Sequence, residues 1–180
     1  GSNRYLRFDN SFQSGMSIDD PFESVFPYET VMLTGLAYRP QTKRVLHIGL
    51  GGGSIPKRMW RDFPELQLDV VELDKEVVTV ARRFFAFPDD PRLDVHVDDG
   101  RQYLLKTDET FDMIVIDAFF SDSIPAHLAT REFVELAKSR LTRGGAVVMN
   151  IIGATDGEQS KLFRAIYRTY AEQFPTLFVH

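Results

Sequence analysis

The 180-residue sequence contains no cysteine, which excludes disulfides, thiolate nucleophiles and Cys-ligated zinc. Its four histidines are scattered without metal-ligand spacing, so no metal site is expected. No apolar run approaches the roughly 18 residues of a membrane span. The N-terminus lacks a charged-then-apolar leader, and the reading that follows is a cytoplasmic protein with no membrane partner. A long Lys/Arg block is also missing: 21 basic residues are dispersed among 26 acidic ones, for a net charge of -5. Without a basic stripe a nucleic-acid partner is not expected, and the acidic field better suits cationic small molecules.

The sequence does have the balance of one ordinary globular domain, with 43% hydrophobic and 26% charged residues. Folding a chain of this length buries roughly 70% of the surface that the unfolded chain exposes, so no covalent staple is needed. Tyr5-Leu6-Arg7-Phe8 and Ser11-Phe12-Gln13 flank Asp9-Asn10, a pair that tolerates positive φ, and predict a β-hairpin. A helix is expected over 28–38. Thereafter apolar runs of strand length (45–49, 67–73, 93–97, 113–117, 146–151) alternate with helical segments (55–63, 75–86, 101–105, 130–141, 157–174). Such alternation predicts an α/β fold, a Rossmann-like doubly wound and mostly parallel sheet with helices on both faces. Thr130 reads as an N-cap and Gly144-Gly145 as a helix stop. Thr176–Val179 reads as the start of a sixth strand, and the expectation is a chain truncated just after it.

The sharpest motif is His47-Ile48-Gly49-Leu50-Gly51-Gly52-Gly53-Ser54, after an apolar strand and before Pro56. Glycines there permit a tight strand-to-helix turn and let a nucleoside lie against the backbone. Glu72 ends the second strand 19 residues after Gly53, where an acid can accept from both ribose hydroxyls; the alternative is an exposed carboxylate. Asp98-Asp99-Gly100 closes the third strand and would put Asp99 beside an adenine amino group. Asp117 ends the fourth strand and opens the loop through Pro125 to His127. Ligands of open parallel sheets bind beyond the strands' carboxyl ends, so Asp117 is a candidate general base, or else a cap of its turn. Phe119 and Phe120 either shield the site or pack in the core. His47, mid-strand, reads as a buried, satisfied histidine, and nothing in the sequence orients His127.

These segments carry a resemblance. Leu6-x-Phe8-Asp9-x-x-x-Gln13, Val45-x-x-Ile48-Gly49-x-Gly51-x-Gly53, Val71-Glu72-x-Asp74, Asp90-Pro91-Arg92-x-x-Val95, Asp99-Gly100 and Phe111-Asp112-x-Ile114-x-x-Asp117 together resemble the spermidine synthase (polyamine aminopropyltransferase) family. The resemblance implies a hairpin, gate segment and linking helix over 1–40, and a Rossmann-like nucleoside-binding domain of the class I methyltransferase type over 41–180. It implies decarboxylated S-adenosylmethionine as co-substrate rather than a tightly bound cofactor, a small-molecule amine as acceptor, and methylthioadenosine as by-product. Dimers or tetramers are common in the family, which leaves a homodimer open. Position by position, Gln13, Glu72, Asp99, Gly100 and Pro125 correspond to donor contacts, beside the glycines 49, 51 and 53, and Asp117 to the proton acceptor.

The polyamine half of the pattern departs from the family. An aspartate of the family's glycine loop falls on Gly52, its histidine before a glutamate on Tyr28 before Glu29, and its second acid on Phe120, with Asp122 two positions later. Tyr28 and Asp122 are therefore the candidate acceptor contacts, with Asp20, Glu23 or Glu29 as other replacements for the missing acids. Two further readings stay open. A methyltransferase on the same fold would take intact S-adenosylmethionine, whose carboxylate Gly52 would admit by removing a repulsive charge. A non-catalytic nucleoside-binding domain is the third.

Overall fold

The computed structural model describes residues 1–8, 11–119 and 124–180. Strand β1 (Asn3–Phe8) pairs antiparallel with β2 (Ser11–Ser17), with a register shift between Leu6 and Arg7. This is the expected hairpin, longer than its alternating core; its turn residues lie outside the described ones. The expected first helix is two pieces, α1 (Pro27–Leu33) and α2 (Gly35–Tyr38), meeting at Thr34.

Five parallel strands follow: β3 (Arg44–Ile48), β4 (Gln67–Glu72), β5 (Leu93–Val97), β6 (Phe111–Ile116) and β7 (Leu141–Met149), in the order β5-β4-β3-β6-β7. Between and after them run α3 (Ser54–Asp62), α4 (Lys75–Phe84), α5 (Gly100–Lys106), α6 (Arg131–Ser139) and α7 (Lys161–Ala171). Period-two alternation divides the sheet between two cores. Val45, Leu68, Val70, Met113 and Val115 face a layer with Met32, Ile55, Met59 and Ala81 of α1, α3 and α4. Leu46, Ile48, Val71, Ile114 and Ile116 face the opposite layer with Leu104, Phe133, Val134 and Ile166 of α5, α6 and α7. The doubly wound reading therefore holds. No helix among the described residues is long and apolar enough to cross a membrane.

Three local expectations are corrected. Residues 176–179 form no strand: Leu177 packs on the α6–α7 core, while Phe178 stacks on Tyr38 at 4.6 Å and His180 Nε2 meets the Tyr38 hydroxyl at 3.0 Å. Side-chain packing anchors this segment without a backbone ladder. Gly144 is not a helix stop but sits at φ 74° within β7, where pairing jumps from Phe111–Leu141 to Met113–Ala146 and residues 142–145 bulge. The final helical segment is also divided, into a 3₁₀ turn (Glu158–Ser160) and α7.

The sheet's amino-terminal end is tied by Asp112. Its carboxylate accepts from the backbone N–H groups of Lys43 and Arg44 (2.9 and 3.1 Å), the Arg39 guanidinium (2.9 Å) and the Thr142 hydroxyl (2.7 Å), joining β3, β6 and β7. Burial alone would raise its pKa, but these donors outweigh it and hold the group down at about 2. A depressed folded-state pKa adds stability above the ordinary carboxylate range and loses it as the pH falls through the folded value. Asp112→Asn is accordingly expected to cost about 2 kcal/mol at pH 7, a gap that shrinks between about pH 4 and pH 2. Urea unfolding across that range measures it; a gap independent of pH would remove the ionic part of this account.

Candidate functional site

The ladder continues one residue beyond several strands at their carboxyl ends. Gly49 N donates to Val71 O (2.8 Å), Asp98 N to Glu72 O (3.1 Å), Asp117 N to Ile48 O (2.9 Å) and Asn150 N to Ile116 O (3.0 Å). These bonds set a glycine turn, Glu72, the Asp98-Asp99 pair, Asp117 and Asn150 along one edge of the sheet. Gly49 holds φ 95°, and a Cβ there would run into the carbonyl of Asp117, so only glycine permits this close approach. At Gly53, the residue before α3, φ is 74° and the Phe87 ring occupies the Cβ position.

Glu72 faces this turn. Its Oε2 accepts from Leu50 N at 2.9 Å and its Oε1 from Asp74 N at 3.0 Å, which fixes the carboxylate and leaves lone pairs for further donors. From the other side the hairpin closes on the turn. Ser14 Oγ accepts from Gly52 N at 2.7 Å, Ser54 Oγ donates to Gly15 O at 3.1 Å, and the Gln13 carbonyl lies beside Gly51. The Cβ side of Gly52 is already filled, by the Phe85 ring (2.7 Å) and Ser14 Cβ (2.9 Å).

Asp99 caps α5, its Oδ1 accepting from the N–H groups of Arg101 and Gln102 (both 3.0 Å), while Oδ2 meets His127 Nε2 at 2.8 Å. Gly100, next to it, packs so tightly on Ile48 that a Cβ would clash. Pro125 begins the 3₁₀ turn Ala126–Leu128, whose His127 thus links the loop after β6 to the end of β5. Asp122 and Phe120 lie outside the described residues; Phe119 packs against the α5–α7 core.

Asp117 is held from two elements. Asn150 Nδ2 donates to Oδ1 at 3.0 Å, and the Tyr28 hydroxyl of α1 makes a long contact with Oδ2 at 3.5 Å. Burial raises the carboxyl to about 6, against the lowering effect of these two donors. Burial first, and then the charges of Asp117 and Glu29, push Tyr28 up, so it stays a protonated donor.

Behind the glycine turn lies a buried polar layer that the sequence does not announce. His47 bonds through Nδ1 to Gly49 O at 2.7 Å, and burial lowers its pKa to about 4, so it is neutral; Nε2 has no partner among the described residues. It is therefore buried as expected, but satisfied at one nitrogen only. Lys57 Nζ donates to Phe85 O at 2.9 Å. The fully buried Glu29 has its pKa raised, chiefly by desolvation, and is turned inward rather than toward solvent. Elsewhere, Asp69, Asp94 and His96 converge at ligand spacing, but the Arg44 guanidinium pairs with Asp69 at 2.9 Å and supplies its counter-charge.

Ser14 and Asn150 escape sequence reading. Ser14 is hidden because its bond crosses the chain, and Asn150 because the strand was expected to run through it to Ile151. A polar residue directly after Met149, aligned with Asp117, was the available signal.

The architecture defines a Rossmann-like α/β domain with its polar residues gathered at the strand carboxyl ends. The family model for the spermine/spermidine synthase domain matches residues 26–177, and the chain belongs to that family. A polyamine aminopropyltransferase of Vibrio vulnificus is 38% identical over 152 residues, covering 83% of this chain and 49% of that protein. The human eEF1A lysine and N-terminal methyltransferase is 27% identical over 184 residues, covering 92% of this chain and 26% of its own. The crystal structure of a probable spermidine synthase from Corynebacterium glutamicum has a TM-score of 0.84 at 25% identity, covering 95% of this chain and 63% of that one. The chain spans about half the length of the polyamine aminopropyltransferases it first matches.

Because Asp99 is a cap as well as a loop anchor, Asp99→Ala is expected to lower unfolding free energy by about 1 to 2 kcal/mol. Asp99→Ser, which keeps a capping oxygen, should lose markedly less. Chemical denaturation of both variants checks this, and equal losses would mean that the cap is not what Asp99 supplies.

Proposed function

We propose that this site transfers an aminopropyl group from decarboxylated S-adenosylmethionine to a small-molecule amine, with Asp117 as the base. The observation that carries the reading is a shielded carboxylate, raised to about 6, against the glycine turn at the strand ends. An ammonium cannot attack until it loses a proton. Asp117 takes that proton, the freed amine lone pair forms a bond to the carbon next to the sulfonium, and the carbon–sulfur bond breaks with its electron pair left on sulfur. The products are an extended amine and neutral methylthioadenosine.

In this reading the glycines 49, 51 and 53 give the nucleoside its backbone surface, and Glu72 takes the ribose hydroxyls through lone pairs left beside its two backbone donors. Asp99 and Gly100 border the adenine, with Gln13 and Pro125 completing the donor site. Tyr28 and Asp122 meet the acceptor. The name of the Vibrio vulnificus relative and the family membership support aminopropyl transfer. Methyl transfer is the second reading, favoured by the human methyltransferase's match over 92% of the chain. Against it, Phe85 and Ser14 fill the space that Gly52 would open for a methionine carboxylate.

Calorimetric titration with S-adenosylmethionine, its decarboxylated form and methylthioadenosine separates the two. Preference for the decarboxylated donor is expected, weakened about tenfold or more in Glu72→Gln through loss of charge-assisted bonds. Preference for the intact donor would replace the proposal with methyl transfer. Asp117→Asn should retain donor binding while transfer falls at least about 100-fold. In the parent protein, transfer should rise with pH through about 6 and then level, because the base works deprotonated. A rate that is flat across that range would remove Asp117 as the base.

A further inference from the structure

Asn150 is a neutral amide at the edge where the other strand-end polar groups are acids. Its backbone N–H extends the ladder to Ile116 O at 3.0 Å, so its position is set by the sheet rather than by a loop. From there its side-chain amide reaches one residue along the neighbouring strand's end and donates to Asp117 Oδ1 at 3.0 Å. Among the described residues, the other oxygen, Oδ2, has only the long 3.5 Å contact with Tyr28. One carboxylate oxygen is thus firmly held and the other is weakly engaged.

We propose that Asn150 is the positioning residue of the site: it anchors Asp117 Oδ1 and leaves Oδ2 as the oxygen that receives the acceptor's proton. The inference rests on the reading of Asp117 as base. Two requirements explain why an amide serves here. A carboxylate bearing two strong donors would be a poor proton acceptor, whereas one held by a single neutral donor keeps a free lone pair in a fixed direction. An acid in place of Asn150 would repel the ionised base and keep one of the two protonated. Among the described residues, the charged and titratable groups facing Asp117 are Tyr28 and Glu29 of α1, and the residue after β7 is the neutral Asn150. Among the described donors, Asn150 is therefore the one on which the ionised form most depends.

The test follows the Asp117 carboxyl carbon by ¹³C NMR as a function of pH, assigned by comparison with Asp117→Asn. In Asn150→Leu, similar in size but without a donor, the Asp117 midpoint should rise by about one to two pH units. In Asn150→Asp the carboxyls should titrate as a coupled pair, with the upper step above the parent midpoint. Methylthioadenosine affinity should change less than about twofold in both, because Asn150 holds the base and not the nucleoside. With an amine acceptor in hand, the acid limb of the rate profile should move with the NMR midpoint. A parent-like single midpoint in either folded variant overturns the assignment. Failure of the parent protein to bind methylthioadenosine would instead overturn the donor site, and the carboxyl titration would still decide whether Asn150 controls Asp117.

Discussion

The structure depends on the close approach of two backbones, the turn at Gly49 against the carbonyl of Asp117. β3 lies at the centre of the sheet, between β4 and β6, and the chain leaving it must turn at once into α3. With φ at 95° and no room for a Cβ, that turn brings the glycine segment level with the end of β6. Ladder bonds from Asp98, Asp117 and Asn150 then align the ends of the neighbouring strands with it. A larger residue at Gly49 would separate the glycine turn from the Asp117 carboxylate.

Burial then gives this alignment its chemistry. Asp117 lies between α1 and the end of β7, where desolvation raises its carboxyl to about 6, above the ordinary carboxylate range. Glu72, by contrast, accepts two backbone N–H groups that fix the orientation of its side chain. Two acids at strand ends thus meet different surroundings, one fixed by backbone donors and the other desolvated beside α1. The hairpin completes the enclosure, since Ser14 supplies the acceptor for Gly52 N and its neighbours fill the space around the turn.

Much of this was legible in the sequence because it rests on periodicity and on residues with few conformational substitutes. Alternating apolar runs located all five parallel strands, and the glycine cluster located the turn. What escaped depends on contacts between distant segments. The Asp99–His127 pair spans 28 positions and Ser14 to Gly52 spans 38, so neither leaves a local pattern. The expected sixth strand failed for a related reason: Thr176–Val179 has strand composition, yet its packing against Tyr38 and the α6–α7 core requires no ladder. Asn150 was masked by its neighbours, since the apolar Ile151 and Ile152 extend the strand pattern past the true end of β7.

The most direct test is a crystal structure of the chain soaked with methylthioadenosine. The nucleoside is expected against the turn from Gly49 to Gly53, with its ribose hydroxyls on the Glu72 carboxylate and its sulfur directed toward Asp117. A nucleoside bound away from the strand carboxyl ends, or with its sulfur turned from Asp117, would contradict it.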